Sequence, residues 1–181
     1  MRRVHFLLMV VFAWPVAAGP TGGPIAGEKT VLLHPAEGDP IAVAEVTFAG
    51  DGGYKVVWDD SKFGDFFLSM RPFKCLEGTE KLWCRVGYPY EIKRSVSADL
   101  TDLEYDLLFV WKNASDYGIN MWNGVYYRLS EDGERITGVL HEMDMDVLAA
   151  PPDDGSLRPI TEDDLDEGDP DSHWLPKLTI E

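Results

Sequence analysis

The chain has 181 residues, and its 32 acidic side chains outnumber 16 basic ones, which gives a formal net charge of −16 at pH 7. So negative a surface repels the phosphate backbone of nucleic acids and the headgroups of anionic membranes, which excludes nucleic acid as a partner. The length suits one domain with its own core. The charge favours a basic protein or a cation as partner, and the alternative is that the acidity serves solubility alone.

The first 18 residues have the pattern of a secretory signal peptide. Two arginines precede an apolar stretch over residues 4–16, and two alanines follow it. The apolar stretch is shorter than the roughly 20 residues that a membrane span needs. We therefore predict a signal peptide over residues 1–18, which leaves no membrane span after cleavage and delivers the chain to the secreted or periplasmic space. A glycine- and proline-rich flexible leader is expected over residues 19–37.

The two cysteines of the chain, Cys75 and Cys84, are predicted to form a disulfide. Two apolar runs, residues 63–70 and 82–90, flank a tip at residues 77–79 that can turn the chain, so we expect a β-hairpin closed across its neck. The alternative, a redox or metal pair, is disfavoured because the eight-residue spacing matches neither motif. In the chain-entropy description, so short a loop stabilises the fold by about 2.5–3 kcal/mol at most.

Alternation of apolar and polar residues predicts further strands. A strand over residues 41–48 places one set of side chains on a single face, namely Ala42, Ala44, Val46 and Phe48. A glycine-rich turn leads to a return strand over residues 54–58. Later strands are expected over residues 121–129 and 135–148, joined by a turn at 130–134.

One helix is predicted, over residues 102–112. Thr101 and Glu104 have the spacing of a capping box, and apolar residues recur after them at helical intervals. A second capping pair, Thr161 and Asp164, predicts a short helix in the acidic tail.

These elements indicate a mainly β fold, a small antiparallel barrel or sandwich with one short helix and one disulfide, and lipocalin-like closure is one form that the barrel could take. The β domain is expected over residues 38–150. An acidic C-terminal segment is expected over residues 151–181, in which residues 161–171 include seven acids.

The predicted binding surface is the aromatic stretch over residues 116–127. Aromatic side chains can anchor a protein or stack on a sugar ring, and amides supply hydrogen bonds. The candidate residues there are Asn120, Trp122, Asn123 and Tyr126, and Tyr88 and Tyr90 beside the disulfide have similar chemistry. The alternative is that these aromatic side chains fill the core of a small β protein.

Two metal sites are considered. His141, Met143 and Met145 would share one face of a strand, and imidazole with thioethers suits copper(I), whereas the alternative places these side chains in the core. The acidic run over residues 163–171 suggests calcium, but it does not match the EF-hand pattern, which favours a solvated acidic segment.

No sequence motif of a hydrolase, zinc protease or nucleotide-binding enzyme is present. The first functional hypothesis is therefore an exported, non-catalytic binding module that recognises an extracytoplasmic basic protein or a glycan, with no resident cofactor. The alternatives are an extracytoplasmic hydrolase with a carboxylate-based site, whose catalytic residues the sequence does not identify, and a copper carrier.

Overall fold

The computed structural model describes residues 25–151 and 155–181, and the predicted signal peptide over residues 1–18 lies outside them. The described chain is mostly β, as predicted, and contains one short α-helix, α1 (Thr101–Asp106). Its strands, in chain order, are β1 (Gly27–His34), β2 (Ile41–Phe48), β3 (Tyr54–Trp58), β4 (Gly64–Leu68), β5 (Arg71–Glu77), β6 (Lys81–Arg85), β7 (Phe109–Asn113), β8 (Gly124–Asp132), β9 (Arg135–Met143), β10 (Asp166–Glu167) and β11 (Lys177–Ile180).

All eleven strands belong to one antiparallel sheet. Its order is β3-β2-β1-β11-β9-β8-β7-β6-β5-β4, and β10 pairs with β9 beside this path. Among the described residues no ladder joins β3 to β4, so closure of the sheet into the predicted barrel is not confirmed. The sheet therefore has two end strands, β3 and β4. None of the helices in residues 25–151 and 155–181 is long and apolar enough to cross a membrane.

The first hairpin, β2 and β3, forms as predicted, with one departure from strict alternation. Val31 of β1 pairs with Ala44, whereas the next residue, Leu32, pairs with Ala42, which leaves Val43 as the extra residue of a β-bulge. Val43 and Ala44 are consequently both buried, and Ala42 is exposed instead of sharing the inner face. A bulge of this kind depends on pairing with another strand, which a period-2 pattern does not contain.

The predicted disulfide is present, and it joins Cys75 of β5 to Cys84 of β6, which lie directly opposite each other. The hairpin around it differs from the prediction, because the strand that leads to the tip is Arg71–Glu77 rather than residues 63–70. Residues 64–68 form β4, which turns back through Ser69 and Met70 to pair with β5. The segment therefore contains two successive hairpins.

The predicted helix over residues 102–112 is wrong in length. Helix α1 ends at Asp106, and residues 109–113 form β7, which pairs with β6 and β8. The capping box at Thr101 is also wrong, since the helix starts after Leu100 without a side-chain cap and the Glu104 carboxylate turns inward. Pairing with two strands outweighs helical propensity in this aromatic and β-branched segment.

Both ends of the described chain enter the sheet. Residues 27–34, expected within a flexible leader, form β1, and residues 177–180, expected within an acidic tail, form β11. Strand β11 lies between β1 and β9, four residue pairs on each side. The second capping box, between Thr161 and Asp164, is confirmed and begins a single 3₁₀ turn over Glu162–Asp164.

The main core lies on the inner face of the sheet against α1. Its fully buried side chains come from most strands of the sheet and from the helix, and include Val31, Leu33, Val46, Trp83, Leu103, Leu107, Phe109, Tyr127, Ile136 and Ile180. A second apolar cluster surrounds Tyr105 and Met145, and a third surrounds the disulfide. These three clusters leave the loop between β7 and β8 on the surface.

Candidate binding surface

The loop between β7 and β8, residues 114–123, carries three of the six predicted binding residues, Asn120, Trp122 and Asn123. Asp116 accepts hydrogen bonds from the backbone N–H of Asn113 at 3.3 Å and from its side-chain amide at 2.9 Å, which turns the chain after β7. Gly118 follows with φ +76°, a left-handed conformation that glycine adopts readily. The loop is therefore shaped by its own polar side chains and one glycine.

This loop is attached to the turn of the β4–β5 hairpin. The Ile119 backbone N–H donates to the Ser69 hydroxyl at 3.0 Å. A β-carbon at Gly118 would lie 2.7 Å from the same hydroxyl oxygen, so the close approach requires glycine. Ser69 and Met70 both have positive φ, 47° and 64°, which is uncommon for residues other than glycine. Two distant segments thus meet in one continuous surface.

Three large side chains extend from this surface, which we call the exposed loop surface. Tyr117 is fully exposed, Met70 is 87% exposed and Trp122 is 68% exposed. The Trp122 indole N–H donates to the Asp146 carboxylate at 3.4 Å, which orients the ring without covering it. Apolar side chains held open in this way are typical of interaction sites.

A cleft of about 350 Å³ lies within the loop. Lys112 lines it, but this side chain is only 3% exposed and its Nζ donates to the Asn113 carbonyl at 2.7 Å. Asn123 donates its amide to the Trp111 carbonyl at 3.2 Å, and Asn120 accepts from the Trp122 backbone N–H at 3.2 Å. Both predicted amides therefore make hydrogen bonds within the chain, and both residues line the cleft.

The accessible charge around Trp122 is negative. Asp116, Asp144 and Asp146 are all exposed on the segments that meet there, whereas Lys112 is buried. Arg71, which follows Met70 in the chain, is an exposed positive charge. The tryptophan end of the exposed loop surface therefore combines an aromatic face with carboxylates.

The other predicted binding residues do not reach this surface. Tyr126 is 4% exposed, while Tyr88 and Tyr90 are half-buried and pack edge to face, with ring centroids 5.6 Å apart. The Tyr88 hydroxyl donates to the Leu157 carbonyl at 2.5 Å, and the Tyr90 hydroxyl donates to the Leu148 carbonyl at 3.1 Å. Tyr126 therefore lies in the core, the position that the alternative interpretation gives these aromatic side chains, and the hydroxyls of Tyr88 and Tyr90 join elements of the fold.

A buried carboxyl group, Glu104 of α1, lies beneath a separate cleft of about 250 Å³. Its Oε1 accepts from the Leu129 backbone N–H at 2.6 Å, and its Oε2 accepts from the Tyr126 hydroxyl. Burial raises the pKa of Glu104 above its ordinary value, although both hydrogen bonds act in the opposite direction. Glu104 thereby holds the helix against β8.

Two further carboxylates line the same cleft, with pKa values displaced downward. Hydrogen bonds from Arg128 lower the pKa of Glu162, and for Asp99 the bonds from Thr101 and Arg158 outweigh a burial effect that would raise it. Carboxyl groups whose pKa values are displaced in opposite directions are a feature of acid–base sites.

A larger cavity, of about 410 Å³, lies beside Arg158. The Arg158 guanidinium there binds Asp99 at 3.0 Å and Asp102 at 2.6 Å. Since these ion pairs hold α1 to the C-terminal segment, the Arg158 guanidinium is already paired, and we do not place the candidate site there.

The structure does not place the three predicted copper ligands on one strand. Strand β9 ends at Met143, and Met145 lies in a 3₁₀ turn over Met145–Leu148, so the three side chains do not follow one strand. Met143 and Met145 are buried in the second apolar cluster, whereas the Nδ1 atom of half-exposed His141 lies 3.1 Å from the Val139 carbonyl. The methionines occupy core positions, as the alternative interpretation held.

The acidic run over residues 163–171, which was considered as a calcium site, forms local turns. Asp164 caps the 3₁₀ turn through Thr161, and Asp169 accepts from the Asp171 backbone N–H at 3.0 Å. Within residues 25–151 and 155–181, no group of three or more His, Cys, Asp or Glu side chains is arranged to hold a metal ion.

Sequence reasoning missed Met70 and the partner of Trp122, Asp146. Alternation over residues 64–68 could have shown that Phe67 faces away from Phe66 and Leu68, since the exposures follow that period. The contact between Ser69 and Ile119 has no sequence signal, because 50 residues separate them.

Comparison of the chain with protein families, curated proteins and solved structures finds no match.

Proposed function

We propose that this chain is an exported, non-catalytic binding module whose exposed loop surface recognises a basic protein. The observation that carries the proposal is the position of Trp122, which is 68% exposed and has its indole N–H bonded to the Asp146 carboxylate. An aromatic face next to a carboxylate suits a lysine or arginine side chain, because the ring attracts the cation and the carboxylate pairs with it.

The net charge of −16 supports the same partner class. A negative field accelerates the encounter with a positively charged protein, and salt weakens this effect. Export would place the partner outside the cytoplasm, where the Cys75–Cys84 disulfide is stable. A glycan is the other ligand expected from the sequence, but the carboxylates beside Trp122 favour a cation.

Association with two basic proteins, lysozyme and cytochrome c, tests the proposal, with an acidic protein such as ovalbumin as the negative control. We expect binding at low ionic strength that weakens by about tenfold or more at high salt. Trp122→Ala and Tyr117→Ala should each reduce affinity by about tenfold or more, as truncation of an interface aromatic commonly does. Val139→Ala, which shortens a half-exposed apolar side chain on β9, is the matched control.

Equal affinity for basic and acidic proteins, or unchanged affinity in both aromatic variants, would contradict the proposal. The Val139→Ala protein should bind as the unaltered chain does. If that control loses affinity equally, the loss in the aromatic variants reflects altered folding and the exposed loop surface is not the site.

A second candidate function, a carboxylate-based hydrolase, is favoured by the cleft over Glu104. Glu104 would be the protonated carboxyl and Asp99 or Glu162 the ionised one. Hydrolysis of chromogenic glycosides by the purified chain, lost in Glu104→Gln, would establish this activity. No turnover by the folded chain would eliminate it.

A further inference from the structure

The two ends of the sheet differ in how their outer edges are covered. At β3, the Tyr54 backbone N–H donates to the Arg94 carbonyl at 3.1 Å, and the Gly52 carbonyl accepts from the Val96 N–H at 2.8 Å. At β4, the ladder to β5 is the only strand pairing recorded in residues 25–151 and 155–181. One edge is therefore partly covered by the segment before α1, and the other is open.

The register of the hairpin shows which β4 groups face outward. A two-residue turn, Ser69-Met70, with positive φ at both positions, makes the flanking pair Leu68 and Arg71 a hydrogen-bonded pair. Pairs alternate along an antiparallel ladder, so the next pair, Phe67 with Pro72, is not hydrogen-bonded. Pro72 has no N–H to donate, which agrees with this assignment.

It follows that the backbone N–H and C=O groups of Phe67 and, two residues earlier, Asp65 point away from β5. No backbone partner for either N–H is recorded in the part of the chain that the structure describes. Both side chains are also exposed to solvent. Phe67 is 76% exposed, and the Asp65 side chain is 81% exposed, with its Oδ1 2.7 Å from the Lys74 Nζ.

Natural proteins protect such edges with lysine, proline, bulges or covering loops. Strand β4, with the sequence Gly-Asp-Phe-Phe-Leu, contains three apolar residues and one charged residue, Asp65, but no lysine and no proline. Its turn continues into Met70, which is 87% exposed, and Ser69 of the same turn binds the loop that carries Tyr117. The open edge is therefore contiguous with the exposed loop surface.

We infer that β4 accepts an extended, lysine- or arginine-containing segment of the partner as an additional strand of the sheet. Strand addition supplies main-chain hydrogen bonds at Asp65 and Phe67, and alternate side chains of the incoming strand meet the Asp65 carboxylate and the Phe67 ring. A second copy of this chain is disfavoured as the occupant because each copy carries a net charge of −16. The basic character of the occupant rests on the proposed function.

The probe is a synthetic peptide, Lys-Val-Lys-Val-Lys-Val-Lys, and its control is the same peptide methylated at every backbone nitrogen. Both carry the same charge, but the methylated form cannot donate main-chain hydrogen bonds. We expect the unmethylated peptide to bind at least about tenfold more tightly. In the complex, amide exchange at Asp65 and Phe67 should slow at least about tenfold, while the Phe66 and Leu68 amides, which face β5, stay unchanged.

Asp65→Pro removes one outward N–H, and Asp65→Thr is its matched control, since both lose the ion pair with Lys74 but threonine keeps the N–H. The proline variant should bind the unmethylated peptide less tightly than the threonine variant does, because it has lost one main-chain donor to the incoming strand. Should the proline variant fail to fold, the exchange measurement on the unaltered chain is sufficient.

Equal binding of the two peptides, or unchanged exchange at Asp65 and Phe67, would overturn strand addition. If lysozyme and cytochrome c still bind through Tyr117 and Trp122 in that case, the proposed function stands without it. Strand addition by the peptide without any association of basic proteins would overturn the proposed function and leave β4 as a docking edge.

Discussion

The Ser69 hydroxyl accepts a hydrogen bond from the Ile119 backbone N–H at 3.0 Å, and this contact joins the β4–β5 turn to the β7–β8 loop. The two segments are 50 residues apart in sequence. The side chains that project on either side of it, Met70 and Tyr117, are among the most exposed apolar residues described. The Ser69 hydroxyl therefore couples the two segments of the exposed loop surface, whereas the β7–β8 loop is also shaped by its own polar side chains.

Ser69→Ala should release the loop while leaving the fold intact. Alanine keeps the β-carbon, so backbone strain at φ 47° is unchanged and the hydroxyl alone is lost. We expect a cost of about 1 kcal/mol or less in unfolding free energy, because the bond is exposed. Amide exchange at Ile119 should accelerate, and Ser130→Ala, at an exposed position near the end of β8, is the control. An unchanged Ile119 exchange rate would show that the loop holds its shape without this contact.

Replacing both cysteines by alanine should lower the free energy of unfolding by about 2.5–3 kcal/mol, since the Cys75–Cys84 bridge closes a short loop and constrains the unfolded chain. Both side chains are fully buried, and alanine retains a small apolar group at each position. Urea denaturation of the oxidised, the reduced and the double-alanine proteins measures the difference. Identical midpoints for the oxidised and reduced forms would contradict the expected stabilisation.

His173 should make the fold sensitive to acid. Its ring lies between Trp83 and Trp111, with centroids 5.9 Å from each, and its Nε2 is 3.2 Å from the Glu142 Oε1. Burial lowers the pKa of His173 and nearby Lys81 adds to this effect, while Glu142 and Asp169 oppose it. The folded state therefore binds a proton less readily than the unfolded state, whose histidine pKa is near the ordinary 6.5.

Because the pKa of His173 is lower in the folded state, its contribution to the free energy of unfolding is complete above pH 6.5. This contribution is lost as the pH falls below that value. The loss is at most about 1.4 kcal/mol per pH unit. His173→Gln should flatten the stability curve between pH 7 and 5, whereas His141→Gln, at a half-exposed position, serves as the control. Denaturant unfolding at several pH values measures this, and an equal slope in the His173→Gln protein would refute it.

The contribution of Glu104 to stability depends on pH in the opposite direction. Since burial raises its pKa above the ordinary 4.5, its contribution is complete below that pH and is lost as the pH rises through the folded pKa. Glu104→Gln, which removes the charge, should therefore gain stability relative to the parent chain between pH 4 and pH 7. Glu131→Gln, at an exposed position, should show no such trend.

Glu104→Ala should behave differently from the glutamine variant. It leaves the Leu129 N–H and the Tyr126 hydroxyl without their buried acceptor. The expected loss is about 2–6 kcal/mol, because each of these two unsatisfied buried donors costs about 1–3 kcal/mol. Thermal unfolding with a near-ultraviolet probe of Tyr126 packing measures it. Equal stability of the alanine and glutamine proteins would mean that the carboxyl oxygens are not structural.

The mainly β character, the first hairpin, the disulfide and the Thr161–Asp164 cap were all predictable from the sequence. Each depends on neighbours close along the chain: alternation within β2, glycines in its turn, two cysteines nine residues apart, and a hydroxyl three residues from a carboxylate. Local steric preferences and short-range hydrogen bonds determine such features before distant segments meet.

Only the tertiary structure decided which face of each aromatic segment is covered. Trp122 and Tyr126 lie four residues apart in one predicted binding stretch, yet the first is exposed and the second is buried against Glu104. A period-2 pattern separates two faces of a strand but does not state which face another element will cover. That choice is made when Tyr126 meets Glu104 of α1 and Ser69 meets Ile119, contacts between residues whose separation in sequence leaves no local trace.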